Sequence, residues 1–226
     1  MFPTYLNRQF RKLIARLFPG RFPRLYSTTD EPKQVPVQIA AYQLARDQYL
    51  LGGDRLLDVG FGLGYGLEIL STKVAYLAGV DIDAKAVALS QNLIGTIPGL
   101  QELRTYDGRS LPYQRAAFDV VTCVDVIEHV PDYSGLLKEM LRVAARQVFV
   151  STPNRRPEYT SPNGKPKNPW HLREWTFDEF DSILHELPDI RIEWNFLDGP
   201  WKGPFQTSHV VSGATQALAS VLIKKL

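Results

Sequence analysis

The chain has 226 residues, 44% of them hydrophobic and 22% charged, with a net charge of +2. That is enough for one sizeable core and an ordinary globular composition, and a charge so close to neutral gives no bulk signal for nucleic acid. No apolar run reaches membrane-spanning length, the N-terminus lacks the continuous apolar core of a secretory signal, and the lone Cys123 points to a reducing, cytoplasmic setting.

No acidic residue precedes Asp30, whereas Arg8, Arg11, Lys12, Arg16, Arg21 and Arg24 do. On a helix over residues 2–18, at about 100° per residue, Phe2, Leu6, Phe10, Leu13, Ile14, Leu17 and Phe18 share one half. The basic residues take the other, and Pro19-Gly20 ends the helix. Three readings stay open: a cover packed on its own fold, peripheral contact with an anionic membrane surface, or an organelle transit peptide. Residues 19–36 carry four prolines and read as a hinge. This sets 1–36 apart from a domain over 37–226, which begins with a helix over 37–51.

Leu56-Leu57-Asp58-Val59-Gly60-Phe61-Gly62-Leu63-Gly64-Tyr65-Gly66 passes abruptly from an apolar run to alternating glycines, then resumes as Leu67-Glu68-Ile69-Leu70. The pattern reads as strand, tight loop, helix, with glycines that let a ligand approach the backbone. The G-x-G-x-x-G spacing of a dinucleotide loop fails, because Tyr65 or Leu67 falls at the third position, and no Gly-Lys-Ser/Thr phosphate loop is present. The remaining form, D-V-G-x-G-x-G after a strand, resembles the first motif of class I S-adenosylmethionine (SAM)-dependent methyltransferases.

The strand and helix alternation continues. A strand over 74–80 ends at Asp81, and Asp83 can cap a helix over 84–94. Asp81 stands about 20 residues past the glycine loop, where an acidic residue holds a ribose diol. A third strand over 100–105 leads to Tyr106-Asp107-Gly108. The run from Phe118 through Asp125, Glu128 and His129 to Val130 is a central strand that breaks into polar residues at its carboxyl end, and it resembles the fourth motif of small-molecule methyltransferases. A helix over 133–144 and a strand over 147–152 follow. Residues 153–175 form a loop long enough to act as a lid, opened by Asn154 and nearly closed by His171. Thr176 and Glu179 form a capping box for a helix to about 187, and 190–197 reads as a strand. Residues 199–204 and 217–226 have no assignment.

The resemblance spans roughly residues 56–180 and implies an α/β fold with a doubly wound, mostly parallel, Rossmann-like sheet. It implies SAM contacts from Asp58, Gly60, Gly62, Gly64, Asp81, Ile82, Asp107, Gly108 and Asp125, with Asp107 near the adenine. Methyl transfer requires the acceptor to be held in line and, for a hydroxyl, a base to take its proton. Histidine suits that task near neutral pH. The expected catalytic set is His171, His129 and Glu128, with His171 as base on the lid and His129 shaping the pocket floor.

The first functional reading is methyl transfer from SAM to a small-molecule or cell-envelope-linked acceptor, at oxygen. A second follows from Asp125-x-x-Glu128-His129 with His171, which resembles the metal site of small-RNA 3′-terminal 2′-O-methyltransferases. Those have a glutamate where Asp125 stands; the shorter side chain reaches less far, and the reading adopted has no metal. A third reading is a SAM-binding scaffold without catalysis.

Overall fold

The computed structural model describes residues 35–200 and 203–225. The basic helix expected over 2–18 lies outside the described residues, as does the hinge up to residue 34. Adjacent apolar residues that are both fully buried, such as Leu56 and Leu57, require a strand covered on both faces, and this sets the architecture.

Strands β1 (Arg55–Val59), β2 (Tyr76–Asp81), β3 (Leu100–Thr105), β4 (Phe118–Val124) and β5 (Ala144–Pro153) form the parallel part of an eight-stranded sheet. Leu57 pairs with Ala78 on one side and Val121 on the other. Helix α1 (Val35–Leu44) continues into one wider helical turn, Ala45–Tyr49. It shares one face of the sheet with α2 (Tyr65–Ser71) and α3 (Ala84–Ser90), where Tyr42, Leu67, Leu70 and Val87 cluster with Leu56, Leu77 and Val120. On the other face, α4 (Tyr133–Val143) and α5 (Phe177–His185) bring Leu136, Met140, Phe180 and Leu184 against Leu57, Val80 and Val121.

The expected caps form. Asp83 accepts from the Lys85 amide at 2.9 Å, and Thr176 and Glu179 make both bonds of the capping box at the start of α5. The helix expected over 84–94 is shorter: α3 stops at Ser90, a tighter turn spans Gln91–Leu93, and Gly95 at φ 86° turns the chain toward β3.

The unassigned tail completes the sheet. After β6 (Ile190–Asp198) and β7 (Gln206–Ser208), β8 (Thr215–Lys224) inserts antiparallel between β5 and β6, giving the order β3-β2-β1-β4-β5-β8-β6-β7. Strand order reverses at β1, with β2 on one side and β4 on the other. In open α/β sheets that reversal opens a crevice at the strands' carboxyl ends.

Candidate active site

The crevice is a single cleft of about 1120 Å³. Its first wall is the glycine loop. Gly60 takes φ 76°, its amide bonds the Val80 carbonyl at 2.7 Å, and a Cβ there would collide with the Val126 side chain. Gly62, at φ 57°, donates its amide to Asp81 Oδ2 at 2.9 Å, while Oδ1 accepts from the Asp83 amide at 2.9 Å. Asp81 thus ties the loop to the end of β2, and burial raises its carboxyl pKa. Ile82 stands beside it, 62% exposed. Asp107 Oδ1 accepts from the amides of Arg109 and Ser110 at 2.9 and 2.8 Å, which hold its pKa below the usual range. Gly60, Gly62, Asp81, Ile82, Asp107 and Gly108 all border the cleft.

Two expected cofactor residues do not border it. Asp58 is fully buried beneath the loop, where it accepts from Thr122 Oγ1 at 2.7 Å and Tyr42 Oη at 3.2 Å; burial raises its carboxyl to about 7. These bonds hold the side chain inside the fold and off the cleft. Gly64, at φ 82°, serves as the left-handed residue that turns the chain into α2.

The opposite wall is built at the end of β4. Asp125 takes φ 52°, donates its amide to the Ser151 carbonyl at 3.1 Å, and receives bonds on its carboxylate from Ser151 Oγ at 2.9 Å and from Gln38. A short helical turn, Ile127–His129, then presents Glu128 and His129. Glu128 is fully buried. Thr152 Oγ1 donates to its Oε2 at 3.2 Å, while Oε1 has no hydrogen-bond partner. Burial first, and the charge of Asp125 second, push its carboxyl well above the ordinary range.

The lid is pinned onto this turn. Asn154 pairs with Trp175 at its neck, the Leu172 amide donates to the Glu128 carbonyl at 3.0 Å, and Arg173 donates to the Val130 carbonyl at 2.9 Å. His129 Nδ1 lies 2.7 Å from the Trp170 carbonyl. A carbonyl only accepts, so Nδ1 carries the hydrogen and Nε2 keeps its lone pair, 3.8 Å from Glu128 Oε1. Burial lowers the pKa of this imidazole and so favours its neutral form. His171 is differently placed. Its Nδ1 is 2.6 Å from the buried Glu174 carboxylate and its Nε2 is 2.6 Å from Asn168 Nδ2, so both ring nitrogens are engaged. The two imidazoles meet edge to face at 4.8 Å.

Among the described residues, Glu128, His129 and His171 also offer ligand atoms that all lie within 4.8 Å of one another. Asp125, expected to join such a set, instead bonds Ser151 and Gln38. Cleft residues missing from the sequence reading include Gln38 and Tyr65 beside the glycine loop, and Gln216 and Ala217 on β8. The β8 pair could not be found while the tail was unassigned, and Gln38 lies in a helix with no motif to single it out.

This fold and this cleft resemble those of class I SAM-dependent methyltransferases, a class whose cofactor is SAM. Residues 57–150 match the family model of the methyltransferase domain. The chain is 34% identical over 116 residues to a ubiquinone biosynthesis O-methyltransferase of Bordetella parapertussis, a match covering 48% of this chain and 46% of the relative. It is 33% identical over 131 residues to a "Probable S-adenosylmethionine-dependent methyltransferase" of Mycobacterium tuberculosis, covering 57% and 46%. The match thus spans a little under half the length of these curated relatives. Among solved structures, a SAM-dependent methyltransferase of Thermotoga maritima has the same fold, with a TM-score of 0.67 at 16% identity over 96% of this chain and 99% of that one. No helix among the described residues is long and apolar enough to cross a membrane.

Proposed function

We propose that the protein transfers the methyl group of SAM to a hydroxyl of a small-molecule or envelope-linked acceptor. The observation that carries this reading is that one cleft joins the glycine loop and Asp81 to a histidine whose free Nε2 lone pair faces no competing donor among its hydrogen bonds. Its volume exceeds that of a typical drug-sized site, which leaves room for a cofactor and an acceptor together. The O-methyltransferase relatives support oxygen as the accepting atom.

In this reading the acceptor oxygen attacks the methyl carbon in line, the carbon–sulfur bond breaks, and S-adenosylhomocysteine leaves. His129 Nε2 takes the hydroxyl proton. The role expected for His171 passes to His129, because Glu174 and Asn168 occupy both nitrogens of His171. His171 then packs against the base and holds the lid over it. Removing a general base of this kind costs about 10²-fold or more in rate. His129→Ala is therefore expected to lower kcat by that order with S-adenosylhomocysteine affinity unchanged, read by product formation across a panel of hydroxylated metabolites. A full rate in His129→Ala would sink the assignment.

The Glu128, His129 and His171 cluster favours one second reading, metal-assisted methylation of an RNA ribose hydroxyl. Its mixed oxygen and nitrogen donors suit a divalent cation, with His171 Nε2 exchanging Asn168 for the ion. Activity that survives a chelator contradicts this reading, and loss restored by magnesium or manganese supports it.

A further inference from the structure

Gln38 lies on α1, outside every motif, yet it borders the cleft together with Gly60, Tyr65 and Asp125. Tyr65 Oη donates to Gln38 Oε1. An amide whose oxygen is engaged in this way must present its Nε2 hydrogens elsewhere, and Gln38 donates them to the Asp125 carboxylate. Ser151 Oγ donates to the same carboxylate at 2.9 Å. The Asp125 backbone sits at φ 52°, a left-handed geometry that a non-glycine residue keeps only where its surroundings over-determine it. Two donors and a constrained backbone thus fix the direction of one carboxylate at the end of β4.

Sheet order says what that carboxylate would meet. β1 lies between β2 and β4, so a cofactor with its ribose at Asp81 and its centre over the β1 loop extends its remaining half toward β4. Two strand spacings separate β2 from β4, about 10 Å. The remaining half of SAM is an amino acid, and its α-ammonium is the kind of cation a held carboxylate binds through charge-assisted hydrogen bonds.

We propose that Gln38 is a positioning residue for the cofactor: by bridging Tyr65 to Asp125, it holds the Asp125 carboxylate to receive the α-ammonium of SAM. This rests on the placement of SAM in the cleft. It also makes α1 part of the cofactor site rather than only a cover on the sheet.

The test compares two ligands by calorimetry on the full chain: S-adenosylhomocysteine, and 5′-methylthioadenosine, which keeps the adenosine and the thioether but lacks the amino acid. Gln38→Ala is expected to weaken S-adenosylhomocysteine about tenfold, the scale of one hydrogen bond to a charged group, and to leave 5′-methylthioadenosine affinity unchanged. Tyr65→Phe, which frees the Gln38 amide, is expected to show a smaller loss with the same selectivity. A general loosening of the loop would weaken both ligands equally, and that result, or an unchanged S-adenosylhomocysteine affinity, overturns the proposal. If the unmodified protein binds neither ligand, the placement of SAM fails and the proposal falls with it.

Discussion

Replacing Asp58 by asparagine separates a structural role from a cofactor role at the most conspicuous acidic residue of the glycine motif. The carboxyl is held at about 7 instead of its ordinary 3.8, chiefly by burial. Between those values the folded chain keeps a proton that the unfolded chain has released, so stability is highest at the acid end, falls as pH rises through the window, and levels off above it. The slope is about 1.4 kcal/mol per pH unit, or about 4 kcal/mol over the whole window. Asparagine has the same shape and no charge; its oxygen can accept from Thr122, and its amide can donate to Tyr42 Oη. Urea unfolding followed by tryptophan fluorescence is therefore expected to show Asp58→Asn gaining on the parent by about 3 kcal/mol between pH 5 and pH 8. Taking the difference between variants removes the pH dependence contributed by Glu128 and other groups. A constant difference across pH would refute the buried-carboxyl argument. Because Asp58 does not border the cleft, S-adenosylhomocysteine affinity is expected to stay the same, and a tenfold loss would return Asp58 to the cofactor site.

Other perturbations read other parts of the site. Asp81→Ala removes the acceptor of the Gly62 amide and the proposed ribose partner, and titration is expected to show about 10- to 100-fold weaker S-adenosylhomocysteine binding; an unaltered affinity removes the ribose assignment. Gly60→Ala forces a side chain into Val126 at a positive φ and is expected to cost about 1–3 kcal/mol in urea unfolding, so a neutral result would show that the loop can shift. His171→Ala leaves the buried Glu174 without its partner and is expected to cost about 1–3 kcal/mol of stability, with a smaller loss of turnover than His129→Ala. The reverse ranking of the two turnover losses would give the base back to His171.

The glycine loop was legible because its constraint is local: Gly60 and Gly62 need backbone angles and clearance that only their residue type supplies, and the run before them can only be a strand. The place of Asp81 at the end of β2 was legible for a similar reason, since its distance from the loop follows from one helix and one strand. The tail was not. Residues 215–222 of β8 are all buried, so they show no alternation, and their place between β5 and β6 depends on partners far away in sequence. Asp58 shows a different limit, because motif membership implied a cofactor contact while its hydrogen bonds to Thr122 and Tyr42 hold the side chain inside the fold, off the cleft. The hydrogen bonds that distinguish His129 from His171 were equally out of reach. They depend on the Trp170 carbonyl, Glu174 and Asn168 arriving at particular ring nitrogens, and spacing alone does not encode a tautomer.

The most direct test of the account is a calorimetric titration of the protein with S-adenosylhomocysteine, with and without magnesium or manganese. Saturable binding that does not need metal is the predicted result, and it would turn the next effort to hydroxylated acceptors. Absence of cofactor heat under both conditions would contradict the central claim that the glycine loop, Asp81 and Asp107 form a SAM site.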